Sequence, residues 1–249
     1  MKRMLVSGAL WGLLPLSLLM ALGQSSDLPA IASIRPGDQQ VMVTVTAPGW
    51  VQQLTLESRT DVAAGPWTRR AWQRVTNAGA ITMQLDVRGE REFFRAGGDD
   101  RPSFFDRVTM GLGLLRASYP EAVLLEVDAT GPGSGTNSTN PNDISQLRIV
   151  CRVNGGTALI TATGGLTFDP VSFVAQPWLG SIVIAWPVPM DVMEADILLQ
   201  HAGYAGTFST INLRQPLYPG LVEPYYIFQV TNVGYVFIGS NSKTNFIGH

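Results

Sequence analysis

The chain has 249 residues, a formal net charge of −2, 45% hydrophobic and 14% charged residues, and a single cysteine, Cys151. One cysteine excludes an intrachain disulfide, and His201 and His249, the only histidines, exclude His-rich zinc sites and paired-His catalysis. Residues 102–249 carry six Lys/Arg against ten Asp/Glu, which leaves no basic stripe for phosphates and makes nucleic acid a poor partner.

Lys2 and Arg3 precede an apolar run over residues 4–22 that ends in Ala21-Leu22-Gly23, the pattern of a secretory signal peptide over residues 1–23. The alternative is an uncleaved anchor, since the run approaches the ~20 residues that span a bilayer. Gly8, Gly12 and Pro15 weaken such a helix, and the small residues favour cleavage. No second apolar stretch is long enough to span a membrane. An exported protein is expected, in the periplasm, in the medium or at the cell surface, without a membrane segment once the leader is removed.

Ile31, Ile34, Val41, Val43 and Val45 begin short alternating runs broken at Arg35-Pro36-Gly37-Asp38 and Ala47-Pro48-Gly49. Further runs cover residues 51–58, 67–75, 81–87 and 92–96. Strand-length runs separated by turn residues predict a small antiparallel sandwich or barrel over residues 28–96. Trp67, Trp72 and the Arg69-Arg70 pair allow two readings: a carbohydrate or anion platform, or core tryptophans with solvated arginines, the simpler of the two.

Gly97-Gly98-Asp99-Asp100-Arg101-Pro102 reads as a flexible boundary. Beyond it one order of elements occurs twice, the mark of an internal repeat. In the first unit, residues 103–165, Ser103 caps a helix with Asp106 in its first turn and an apolar stripe of Phe105, Val108, Leu112 and Leu115. A strand over 123–128 and a hairpin over 146–161 follow, turning at Asn154-Gly155. In the second, residues 189–249, Asp191 caps and Glu194 closes the capping box. Val192, Ala195, Leu198, Leu199 and Ala202 form the stripe and Gly203 the stop, before a strand over 207–213 and a hairpin over 226–238. The connector, 166–188, holds Phe168, Phe173, Trp178 and Trp186, too apolar for a free linker. A strand is predicted over 181–186, and the segment is expected to cement two units each too small to stand alone. The expected fold class is mixed: an N-terminal all-β sandwich-like module, then two α+β units, each a helix packed on an antiparallel three- to four-stranded sheet.

Leu54-Thr55-Leu56-Glu57-Ser58, Trp67 and Phe93-Phe94-Arg95 resemble a fibronectin type III-like module of exported bacterial proteins, which implies a spacer or binding platform. Leu198-Leu199-Gln200-His201-Ala202-Gly203-Tyr204, Glu223-Pro224-Tyr225-Tyr226-Ile227-Phe228 and Tyr235-Val236-Phe237-Ile238 resemble the PepSY-like family, whose unit is a helix followed by an antiparallel meander. Ala117-Ser118-Tyr119-Pro120-Glu121-Ala122 and its hairpin extend the likeness to the first unit. That unit departs from the pattern in its Gly/Ser/Asn insertion over 130–143 and in lacking the aromatic strand signature. The resemblance implies proteins that accompany, inhibit or regulate peptidases without catalysing a reaction. It transfers no functional residue, because its motif is one of packing.

No G-x-S-x-G elbow accompanies His201, and Gly131-Pro132-Gly133-Ser134-Gly135 lacks the lysine of a phosphate loop. Asp128, Asn137, Asn140, Asn142 and Asp143 make Ca²⁺ conceivable, but they do not follow EF-hand spacing and a solvated loop is the simpler reading. Cys151 falls on an apolar strand face and reads as a buried thiol. Catalytic, metal and cofactor-binding residues are therefore not assigned. The candidate interaction surface is Tyr225, on the strand face opposite Tyr226, with Arg148 and Arg152; Arg116 would extend these into an anion patch, solvated arginines being the simpler reading. The expected function is a non-enzymatic exported interaction module that binds a protein or peptide and modulates or inhibits a peptidase. The alternatives are a structural or adhesive surface component and, with less support, a carboxylate hydrolase built from Glu121, Glu126 and Asp128. Oligomeric state is not set by the sequence.

Overall fold

Val41, Val43, Val45 and Ala47 alternate with Met42, Thr44 and Thr46, and the strand they form buries the first set alone. The same two-residue period organises most of the chain. The structure, a computed structural model, describes residues 3–5, 28–37, 39–61, 65–87, 91–131, 137–144, 146–204 and 206–248. It divides into two compact units, Met1–Arg101 and Pro102–His249. Residues 6–22 of the expected leader's apolar run, like residues 132–136 of the Gly-rich insertion, lie outside the described residues. No helix among the described residues is long and apolar enough to cross a membrane.

The first unit contains β1 (Arg3–Leu5), β2 (Ala30–Pro36), β3 (Gln40–Ala47), β4 (Gln53–Arg59), β5 (Thr68–Arg74), β6 (Gly79–Asp86) and β7 (Phe93–Asp99). They form an antiparallel sandwich of two sheets, ordered β2-β3-β6 and β1-β7-β4-β5. Val41, Val43, Val45, Leu54, Leu56, Met83, Leu85 and Phe94 fill the space between. The expected flexible boundary is instead partly strand: β7 runs through Gly97 and Gly98 to Asp99. A Cβ on Gly98 would lie 2.8 Å from both Pro29 and Val51, so this glycine serves close packing. Trp67 lies between two guanidiniums, with Arg59 4.4 Å and Arg95 4.5 Å from its ring centre. Arg69 and Arg70 are buried, and Trp72 donates its indole N–H to Gln53 Oε1 at 3.1 Å. The residues of the supposed platform thus do not share one surface.

The second unit begins with α1 (Phe104–Ser118), β8 (Val123–Thr130), a short 3₁₀ turn at Pro141–Asp143, β9 (Gln146–Val153) and β10 (Gly156–Gly164). The connector supplies β11 (Thr167–Phe168), β12 (Ser172–Val174) and β13 (Ser181–Ile182). Then come α2 (Val192–His201), β14 (Phe208–Pro216), β15 (Tyr225–Val230), β16 (Gly234–Gly239) and β17 (Asn245–Gly248). Ser103 caps α1, accepting from the Asp106 amide, and Asp191 with Glu194 forms the capping box of α2. Each helix is followed by three strands in antiparallel order, but the two halves do not keep separate sheets. One sheet runs β11-β10-β9-β8-β14-β15-β16-β17, because β8 pairs with β14. The reason is the exposed edge: a three-stranded meander leaves a row of unpaired N–H and C=O groups on its first strand, and pairing the two first strands removes both rows.

The strand expected over 181–186 is two residues long, at β13. The connector's other strands, β11 and β12, extend the outer edge of β10. Both helices lie on one face of the sheet, α1 over β9 and β10 and α2 over β16. Phe104 meets Tyr226 edge-on at 5.9 Å, and the Tyr226 hydroxyl donates to the Met190 carbonyl at 2.8 Å. The opposite face is polar over β8, β9 and β14, where it carries Asp128, Arg148 and Asn212, and aromatic over β15–β17, where it carries Tyr225, Phe237 and Phe246.

Candidate functional site

On that opposite face, the antiparallel register sets Asp128 of β8 beside Arg148 of β9 on one side and Asn212 of β14 on the other. Arg148 donates Nε to Asp128 Oδ2 at 2.9 Å and Nη2 to the same oxygen, while Asn212 Nδ2 donates to Oδ1. The Asp128 side chain is 12% exposed and that of Arg148 48%, so the carboxylate forms the floor and the guanidinium rises from it. The Arg148 guanidinium lies 5.4 Å from the centre of the Trp178 ring, and the Trp178 indole donates to Glu126 Oε2 at 3.0 Å. Glu126 also faces Arg214, 3.8 Å away.

Thr130 and Gln146 continue this arrangement along β8 and β9, and Thr161 does so on β10. On the other flank Thr210 donates to Gln229 Oε1 at 3.3 Å, with Tyr235 beside them. Together these side chains line a shallow hollow of about 490 Å³. A larger hollow of about 910 Å³ lies in the first unit at Gly37, Gln39, Gln40, Asp86 and Val87. Among its described lining residues Asp86 is the one charged group, whereas the sheet-face hollow joins an ion pair, amides, hydroxyls and a ring and is the better candidate.

Of the expected surface residues, Arg148 belongs to this hollow. Arg152 is exposed on the same strand but does not line it. Tyr225 corrects the sequence reading: it is 5% exposed, held edge-on by Phe237 at 6.1 Å and Phe246 at 5.6 Å. The cause is β17, whose Phe246 covers the face that alternation alone leaves open. Arg116 donates to the Ala122 carbonyl from α1, on the other side of the sheet from Arg152, so the expected anion patch does not assemble.

Of the oxygen-bearing residues considered for Ca²⁺, Asp128 is held by Arg148 and Asn212 and two others are engaged locally. Asn140 accepts from the Asn142 amide at 3.1 Å, and Asp143 accepts from the Ser138 hydroxyl at 2.9 Å. Among the described residues no three His, Cys, Asp or Glu side chains gather as a metal site. Cys151 is fully buried, and burial pushes its thiol up to about 12, against a smaller opposing pull from Arg116. No family model matches the chain, and neither a curated protein nor a solved structure matches it.

The sequence reading passed over Asn212, Gln146 and Gln229, and it counts Tyr235 with the core aromatics although it is 48% exposed. The available signal was polar alternation: Glu126, Asp128 and Thr130 on one strand, Thr210, Asn212 and Arg214 on another. Joining them required the β8–β14 pairing, across 84 residues of sequence.

Proposed function

We propose that the protein is an exported, non-catalytic interaction module that engages its partner on the open face of the second unit's sheet. The observation that carries this reading is the Asp128–Arg148–Asn212 floor with the hollow above it, on a face opposite both helices. The acidic side chains there are committed to pairing, Asp128 to Arg148 and Glu126 to Arg214, which favours recognition over acid–base chemistry. Export is supported by the basic start and apolar run of residues 2–22.

The order β2-β3-β6 against β7-β4-β5 supports the fibronectin type III likeness, and the repeated helix-plus-three-strand order supports the PepSY likeness. Peptidase modulation is the narrower proposal that follows from the second likeness. Its test adds the purified protein to secreted peptidases of the producing cell and to an envelope fraction, beside a Gln229→Arg variant that obstructs the hollow. An effect or a captured partner that the variant loses is the expected result. No partner and no change in peptidase activity would overturn the reading.

A structural or adhesive role is favoured by a different observation. Leu179, Leu217, Tyr218 and Val222 are 82%, 65%, 69% and 82% exposed. Two of their loops are joined where the Leu217 amide donates to the Gly180 carbonyl. Serine at Leu179, Leu217 and Val222 would then release the protein from the cell surface; unchanged retention would dismiss the idea.

A further inference from the structure

We infer that the hollow on the open sheet face takes a neutral saccharide chain, an inference that rests on the interaction-module reading and names its ligand class. Charge is the first argument. Asp128 and Arg148, the charged side chains among the described lining residues, are paired with each other, so the site carries no net charge. A charged ligand would have to compete with pairs already made, whereas a neutral one need not.

Hydrogen-bonding capacity is the second. Gln146, Asn212 and Gln229 each hold a donor and an acceptor on one planar group, and Thr130, Thr161 and Thr210 combine both in a hydroxyl. A vicinal diol is likewise donor and acceptor at adjacent positions, and such a lining meets it from either side. An exposed ring supplies the third. Tyr235, 48% exposed, lines the hollow. Its flat apolar face suits the C–H face of a pyranose, which is apolar while its edge is polar.

An extended peptide fits less well. Peptides add to sheet edges through main-chain hydrogen bonds or fill apolar pockets, and this lining is the interior of a sheet with no aliphatic side chain. The volume, about 490 Å³, lies in the range of small-ligand sites.

The test is calorimetric titration of the full chain with three neutral hexasaccharides, cellohexaose, maltohexaose and N-acetylated chitohexaose. Hexagalacturonate and a mixed-sequence peptide pool serve as comparators. Saturable binding to at least one neutral sugar is expected, with no gain for the uronate. Tyr235→Ala and Gln229→Ala should each weaken it about tenfold, the loss of one good polar or stacking contact. Both residues are exposed, and their circular dichroism and melting should match the parent. Sugar binding that both variants retain would overturn the assignment to this hollow. Peptide binding without sugar binding, abolished by Gln229→Arg, would overturn the saccharide class and leave the interaction module standing. Binding to neither, together with no partner in the envelope fraction, would overturn both.

Discussion

Asp191, the cap of α2, also holds the amide of Phe105 at the start of α1, 86 residues earlier in the chain. Its Oδ2 accepts from Phe105 at 3.2 Å and its Oδ1 from Met193 at 3.0 Å, so one carboxylate serves the first turns of both helices. Burial is nonetheless the stronger influence and pushes its pKa up from 3.8 to about 6, past the downward pull of the two amides.

A pH signature follows. A carboxyl raised in the folded state favours folding while protonated, so its contribution is complete below about pH 4 and is lost as pH rises through 6. The shift corresponds to about 3 kcal/mol in all. Asp191→Asn, which keeps an acceptor at the cap, should abolish that decline in urea titrations between pH 4 and 7. Asp191→Ala should cost about 2–3 kcal/mol at pH 4, from the loss of two caps. Glu223 titrates the opposite way, because hydrogen bonds from Ser242 and the Asn241 amide outweigh burial and lower its pKa. Taking wild type minus Asp191→Asn therefore isolates the Asp191 contribution.

Two glycines of α1 should respond to alanine with opposite signs. A Cβ on Gly111 would collide with Ile149 Cδ1 and lie 2.9 Å from Phe168, whereas one on Gly113 meets nothing within 4 Å. Gly111→Ala is expected to destabilise by about 1–3 kcal/mol, and Gly113→Ala to stabilise by up to about 1 kcal/mol through helix propensity. Thermal melts of the two variants decide the matter.

Trp67 ties down the β4–β5–β7 sheet by stacking between Arg59 and Arg95, the latter also paired with Glu57 at 2.6 Å. Trp67→Ala should lower the stability of the first unit by about 2–4 kcal/mol, combining lost burial with two cation–π contacts. Trp67→Phe should fall between. Equal losses for the two variants would show that a smaller ring recovers none of the contact with Arg59 and Arg95.

The thiol of Cys151 should not react with a disulfide reagent at pH 8 in the folded protein and should react fully once denaturant is added. Its burial withholds both the access and the thiolate that the reaction needs.

Elements were legible where the signal was local. Ser103, Asp191 with Glu194, and the Asn154-Gly155 turn, in which Gly155 adopts φ 79°, each announce their structure within a few residues. What stayed hidden depends on partners distant in sequence. Tyr225 looks exposed until Phe246 is laid across it, and Asp128 looks like a loop-side oxygen until β14 brings Asn212 alongside. Gly98 reads as flexible by composition, and only the positions of Pro29 and Val51 reveal it as a packing residue.

The β8–β14 pair places residues at matching points of the two halves around an approximate dyad: Asp128 opposite Asn212, Arg148 matching Ile227, and Thr161 matching Phe237. Two identical subunits meeting this way would be obliged to carry the same residues on both wings. Covalent fusion lifts that obligation and fixes the stoichiometry at every dilution. One wing has kept ions and hydroxyls while the other has become aromatic, an asymmetry open to a tandem chain and closed to a homodimer.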